Sequence, residues 1–350
     1  MKKNAYAKAG VDIELGNQVK TTLPDLLKST HRPEVLGTVG GFGGLFSLST
    51  KKYKNPVLVS SVDGVGTKLK VAFLANRHDT IGQDLVNHCV NDIAVLGAEP
   101  LFFLDYLGTG VLKPKVFESI LSGFATACRE NNCALVGGET AQMPGFYQKG
   151  EYDLSGTIVG IAEKKELLDG KTIKPGDCII GLPSNGLHTN GYTLAREVLF
   201  NQLKLKPATK VKELGMTVRD ELLKVHRSYL PVMQKLIKRY NKGKSKPVLK
   251  AFAHITGGGF IDNIPRILPK NVDAQVTLNS WDSQPVFDLI QREGKISETE
   301  MHTVFNMGIG MIAIVDKASA PALCSYLKRI KEPYFEIGKI VRGKGQCILK

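Results

Sequence analysis

Short apolar, β-branched runs alternate along this chain with stretches in which apolar positions recur every three or four residues. "PVLVSSV" (56–62) and "ALVGG" (134–138) read as buried strands, and the stretches at about 80–96 and 114–130 carry the period of amphipathic helices. This alternation predicts an α/β domain. After "VGIAEKKELLDG" (159–170) the pattern restarts: Lys-Pro-Gly-Asp (174–177) is turn chemistry, and "CIIGL" (178–182) is a new buried strand. Two α/β domains are therefore expected, with the boundary near Gly170 dividing 1–168 from 169–350. In the second half the pattern predicts a helix from about 191, further helices through about 218–240, a helix over "GFIDNIPRIL" (259–268), a strand at "GMIAIV" (310–315), another helix and closing strands. Neither a fixed-period repeat nor a low-complexity tract interrupts it.

Composition agrees with two ordinary cores. The chain has 350 residues, 43% hydrophobic and 23% charged, the balance of a globular protein long enough for two domains. No run of about eighteen apolar residues occurs and the N-terminus carries no apolar stretch, so we expect a cytoplasmic protein with no membrane partner. The six cysteines include no C-x-x-C pair, which argues for reduced thiols and against a zinc site. A formal charge of +14 raises the question of nucleic acid. The lysines are dispersed, however, and the densest runs, "KLKPATKVK" (204–212) and "KRYNKGKSK" (238–246), do not alternate with base-stacking aromatics. We expect no nucleic-acid partner; the positive field suits small polyanionic substrates instead.

The loop "SSVDGVGTKLK" (60–70) resembles a phosphate cradle but fits neither common signature. A Walker loop needs Lys directly after its second glycine, whereas Gly66 is followed by Thr67 and then Lys68; the "GKT" at 170–172 has Lys165 where the first glycine is required. "GIGMIA" (308–313) matches a dinucleotide fingerprint in letters, but "MIAIVD" after it reads as strand where the motif needs a helix.

The acids say more. Asp63 ends a strand, followed by Gly64 and Gly66, which permit close approach of a ligand, and by the hydroxyl of Thr67 and the cation of Lys68. The next helix puts Asp84, His88 and Asp92 on one face where a core helix would carry leucine. Glu139 follows two glycines at the end of a buried strand in "VGGETAQMPG" (136–145). Asp63, the acids of that helix face and Glu139 offer the hard oxygen ligands that magnesium-bound triphosphate requires, the alternative being acids that cap or pair within the fold. His188, in the glycine-bracketed loop "SNGLHTNGY" (184–192), reads as a presented ring suited to acid–base work. The glycines of "HITGGGF" (254–260) precede a helix and offer free N–H groups to a phosphate or amide.

These stretches, with "YAKAGVDI" (6–13), "RPEVLGTVGGFGG" (32–44), "NDIAVLGAEPLFFLDY" (91–106), "HITGGGFIDNIPRILP" (254–269) and "FNMGIGM" (305–311), resemble the aminoimidazole ribonucleotide synthetase family, the cyclo-ligases of de novo purine synthesis. The resemblance implies ATP and magnesium as cofactors, formylglycinamidine ribonucleotide as substrate, and phosphorylation of its formyl oxygen before an amidine nitrogen closes the imidazole ring. It implies a homodimer whose N-terminal domains share a β-barrel, and a C-terminal α/β domain with helices packed on one sheet. Residue by residue it implies a catalytic role for His188, Asp63 and Asp92, with Asp63, Asp92 and Glu139 on the metal. Nucleotide contacts fall to Gly40, Gly41, Gly43, Gly44, Gly64, Gly66, Thr67 and Lys68, and substrate contacts to Asn190, Gly257, Gly258, Asn263 and Arg266. Gln142 stands where an acid is common in the family and is left out of the metal site.

Overall fold

The computed structural model of the chain describes residues 5–20, 23–37, 40–48, 51–244 and 246–350. They divide into two compact units, the first taking residues up to Ile93 and Glu99–Glu163, the second Ala94–Ala98 and Lys164–Lys350.

In the first unit, α1 (Ala5–Lys8), α2 (Ile13–Lys20) and α3 (Leu23–Lys28) precede β1 (Pro56–Gly64); α4 (Lys68–Ala75) and α5 (Ile81–Ala94) follow it. Then come β2 (Glu99–Thr109), α6 (Pro114–Glu130), β3 (Ala134–Gln142) and β4 (Tyr152–Glu163). The sheet order is β1-β4-β2-β3, with β4 antiparallel to both neighbours and β3 parallel to β2 through the α6 crossover. Side chains alternate between faces. Phe103, Leu107, Leu154 and Ile158 are buried on one of them, where Phe103 meets Phe124 of α6 at 6.1 Å. Each such fully buried phenylalanine contributes about 1.5–3 kcal/mol. α5 and α6 cross at two glycines; a Cβ on Gly82 would lie 2.2 Å from the Ile120 carbonyl oxygen, so no larger residue fits there. The opposite face is open, and Leu58 and Val62 of β1 are 59% and 64% exposed on it.

The second unit is built on a six-stranded sheet. Its strands are β5 (Cys178–Pro183), β8 (Leu249–His254), β9 (Val272–Val276), β10 (Ile309–Val315), β11 (Phe335–Arg342) and β12 (Cys347–Leu349), in the order β12-β9-β11-β5-β10-β8; β6 (Lys210–Val211) and β7 (Met216–Thr217) pair separately. β8 and β10 are buried along their whole length, as strands covered on both faces must be. Around them run α7 (Tyr192–Arg196), α8 (Val218–Leu222), α9 (Leu230–Tyr240), α10 (Gly259–Asn263), α11 (Pro285–Gly294), α12 (Glu298–Val304) and α13 (Ala320–Arg329). The helix expected over 259–268 is shorter: α10 stops at Asn263 and tightens into a 3₁₀ turn at Ile264–Ile267, where Pro265 has no N–H to continue the ladder. All of "GIGMIA" after Gly308 lies in β10, so the strand reading holds and the strand, not a helix, continues from it to Val315.

Candidate active site

β1 delivers Asp63 to α5. Asp63 Oδ2 lies 2.9 Å from His88 Nε2, and Asp92 Oδ2 lies 4.0 Å from the same nitrogen. The Gly64 N–H donates to Asp63 Oδ1 at 2.6 Å and the Ser61 hydroxyl to Asp92 Oδ2 at 3.1 Å. Burial alone would lower the pKa of His88, but its hydrogen bond to Asp63 and the charges of Asp92, Asp63 and Asp84 outweigh it and raise the value. Two carboxylates therefore converge on one imidazole nitrogen. The same convergence suits a divalent ion with oxygen ligands.

The rest of the polar face of α5 is structural. Asp84 Oδ1 pairs with Lys68 Nζ at 2.9 Å, both side chains wholly buried, and Asn87 Oδ1 accepts from Asn131 Nδ2 at 2.8 Å. Lys68, expected on the nucleotide, instead begins α4 and turns inward to this ion pair, leaving Gly66 and Thr67 exposed at the helix start. Gly40, Gly41, Gly43 and Gly44 are exposed on a segment held by the Leu36 N–H to the Leu45 carbonyl (2.9 Å), with Gly44 close against Val136 of β3. Gln142 binds the backbone of Asp12 through both amide atoms, at 3.1 and 3.0 Å.

Glu139 is not brought to Asp63 and Asp92 within one chain. Three strand spacings separate β3 from β1, roughly 14 Å. The register also puts Asp63, Gly156, Asp105 and Gly138 in one row across the sheet, so the next residue, Glu139, points to the other face. The acid on the Asp63 side is Asp105, which the sequence reading missed. Its carboxyl fills the space where a Cβ on Gly138 would stand, 2.2 Å from Oδ1. Burial, and then the charge of Glu139, push its pKa up to about 7 against the pull of its own backbone N–H. The signal was present in "FFLDY": at period two, Asp105 shares a face with Phe103 and Leu107, and an acid on a buried face invites a question.

In the second unit, the loop after β5 turns at His188, whose φ of 63° is left-handed. Its ring is 1% exposed, a correction to the expectation of a presented imidazole. It stacks on His226 and accepts from the Asn185 N–H at 3.0 Å. Gly310 of β10 makes the room, since a Cβ there would lie 2.5 Å from His188 Cε1. What reaches the surface nearby is Asn190, half-buried, with its Oδ1 3.1 Å from where a Gly257 Cβ would be. Gly258 (φ 91°) turns the loop, and Arg266 is exposed. Asn263, expected on substrate, is buried; its amide donates to the carbonyls of Thr256, Gly257 and Gly259, so it shapes the glycine loop from behind.

Solved structures with the same architecture define the class first. A thiamine-monophosphate kinase from Stenotrophomonas maltophilia superposes with a TM-score of 0.69 at 19% identity, covering 93% of this chain and 95% of that one. The hydrogenase maturation protein HypE in complex with ATP gives 0.65 at 18%, covering 95% and 90%. At such identities these matches show a shared two-domain α/β fold. Residues 50–162 match the N-terminal domain, and 174–350 the C-terminal domain, of the AIR synthase related proteins. The phosphoribosylformylglycinamidine cyclo-ligases of Syntrophotalea carbinolica and Geobacillus thermodenitrificans are each 50% identical to this chain, over 98% and 97% of it and 96% of their own length. That of Alkaliphilus metalliredigens is 46% identical over 100% of this chain and 99% of its own. The chain belongs to the AIR synthase related family in both of its domains.

Proposed function

We propose that this protein closes the imidazole ring of aminoimidazole ribonucleotide. ATP phosphorylates the formyl oxygen of formylglycinamidine ribonucleotide, the amidine nitrogen attacks the activated carbon, and phosphate leaves, so that each turnover yields one product, one ADP and one phosphate. The observation that carries the reading is the likeness to cyclo-ligases across nearly the whole of both chains. Phosphoryl transfer of this kind needs placement and charge neutralisation more than a nucleophile, and the cluster in the first unit offers acids and no activated nucleophile. Asp63 and Asp92 fit a magnesium ion because both carboxylates, which are hard oxygen ligands, already face one point, the His88 Nε2. Bound there, magnesium supplies neutralisation of triphosphate charge. Gly64, Gly66 and Thr67 border the same end of β1, and the glycines at 40–44 form a cover for the nucleotide. Asn190, Gly257, Gly258 and Arg266 face the ribonucleotide, with His188 behind Asn190.

The working form in this reading is a cytoplasmic homodimer. The open face of the first sheet, with Leu58 and Val62 exposed, is a surface that a second copy would cover in a shared barrel, and Glu139 on that face would then serve the partner's site. All six cysteines are free thiols, and among the described residues no helix is long and apolar enough to cross a membrane. The test is ATP hydrolysis by the purified protein with and without formylglycinamidine ribonucleotide, while the aminoimidazole amine is measured. ADP and amine should appear together, one to one, only with the substrate; ADP without the amine would reject ring closure.

A further inference from the structure

The second unit buries three histidines against one another: His188, His226 and His254 are 1%, 0% and 7% exposed. Their ring nitrogens come within 4.8 Å of one another, a spacing that invites a metal ion. The ring planes argue against one. His188 and His226 are stacked at 4.0 Å between centroids with 21° between planes. An imidazole lone pair lies in its own ring plane, so two stacked, nearly parallel rings do not aim at a common ion about 2 Å from each nitrogen.

The geometry instead makes a clamp around His226, which stands between α8 and α9. Its Nδ1 is 3.3 Å from Thr189 Oγ1, and its Nε2 is 3.1 Å from His254 Nε2. Two facing imidazole nitrogens at this distance share one proton, because two lone pairs repel and two N–H groups collide. When His254 donates, neutral His226 keeps its proton on Nδ1 and donates it to Thr189. When His226 donates from Nε2, its Nδ1 accepts from the Thr189 hydroxyl. Either arrangement satisfies all three groups, so the link persists whichever ring holds the proton.

The two ends of this link are informative. Thr189 lies between His188 and Asn190; His254 closes β8 and leads into Gly257 and Gly258. We propose that His226 is a positioning residue for ring closure: it ties the 188–190 loop to the 254–258 loop and, through its stack, holds the His188 ring, so that Asn190 and Gly257 keep their spacing when the ribonucleotide arrives. The proposal rests on reading those two loops as the substrate side of the site.

The decisive variants are H226F, which keeps ring and stack but removes both hydrogen bonds, and H226Q, which restores a donor and an acceptor. H226F should lower kcat/KM for formylglycinamidine ribonucleotide about ten- to a hundredfold, the scale of a sub-ångström to 1 Å misplacement, with KM for ATP unchanged. H226Q should recover turnover to within about fivefold of wild type. In ¹⁵N-histidine spectra of the full-length protein, the His254 Nε2 resonance should shift in H226F as its partner is lost. If H226F does not fold, T189V, which cuts only the threonine end, should show the same substrate-selective loss. Wild-type kcat/KM in H226F or T189V, or an equal rise in KM for ATP, would overturn the clamp. The reading of the loops is tested separately: full activity in both H188A and N190A would reject it, whereas losses there beside an unaffected H226F reject the clamp alone.

Discussion

Lys68 separates a structural account of the glycine loop from a phosphate-binding one. Its ammonium lies 2.9 Å from Asp84 Oδ1 with both side chains at 0% exposure. At an effective dielectric of 20 that contact is worth about 6 kcal/mol before desolvation is counted. Burial lowers the pKa of Lys68 and the Asp84 charge opposes that shift, as expected for an ion pair held out of water. Lys68→Met leaves the Asp84 carboxylate buried without its counter-ion and should cost about 3–5 kcal/mol. With a urea slope of about 2–3 kcal/mol per molar, the unfolding midpoint of the first unit should fall by about 1–2.5 M. The double variant Lys68→Met/Asp84→Leu should regain most of that loss, since a buried pair replaced by apolar groups of similar volume is often neutral or better. Calorimetric titration of ATP, under conditions where Lys68→Met is folded, should give an affinity close to wild type. An unchanged midpoint with ATP affinity reduced tenfold or more would refute this reasoning and return Lys68 to the nucleotide.

Two further outcomes follow from the same contacts. Asp92→Asn removes a carboxylate that is 26% exposed and touches His88 at 4.0 Å; the fold should survive by circular dichroism while turnover falls at least about a hundredfold across a magnesium titration, and normal turnover would remove Asp92 from the site. Asp273 accepts from the Gln346 and Lys344 N–H groups at 2.8 and 2.7 Å, and these bonds hold its pKa below 3.8. A carboxyl depressed in the folded state contributes stability in full above its unfolded value and loses it as pH falls through the folded one. Asp273→Asn should therefore lower the melting temperature at neutral pH, with the gap to wild type closing in acid below about pH 4; a gap independent of pH would reject the assignment.

How much of this was legible beforehand follows from how far each signal reaches along the chain. α6 matches its expected span of 114–130, and β1 and β3 contain the runs from which they were read, because period and β-branching are written within a dozen residues. α4 was not anticipated. In "KLKVAFLA" the buried set includes Lys68, Leu69, Val71 and Ala72, so the helix shows little amphipathic contrast and its first lysine reads as the tail of the loop. His226, in "KVHRSYL", belongs to no motif; its partners lie 37 and 28 residues away.

The acids show the same limit more sharply. Locally, Asp63, Asp92 and Glu139 look like one set, each beside glycine or on a polar helix face. Within one chain, sheet order keeps Glu139 from the other two: β4 and β2 come between β1 and β3, and parity turns Glu139 to the far face while bringing Asp105 onto the row of Asp63. The glycines change meaning too. In "VGGET" Gly138 reads as a flexible neighbour of Glu139, yet its lack of a side chain serves Asp105 on the adjacent strand, whose carboxyl occupies that space. Gly156 does likewise for Phe103, whose ring would stand 2.1 Å from a Cβ there. Two acids thus alternate with two glycines across the sheet, and that pattern exists only once strands far apart in sequence are paired.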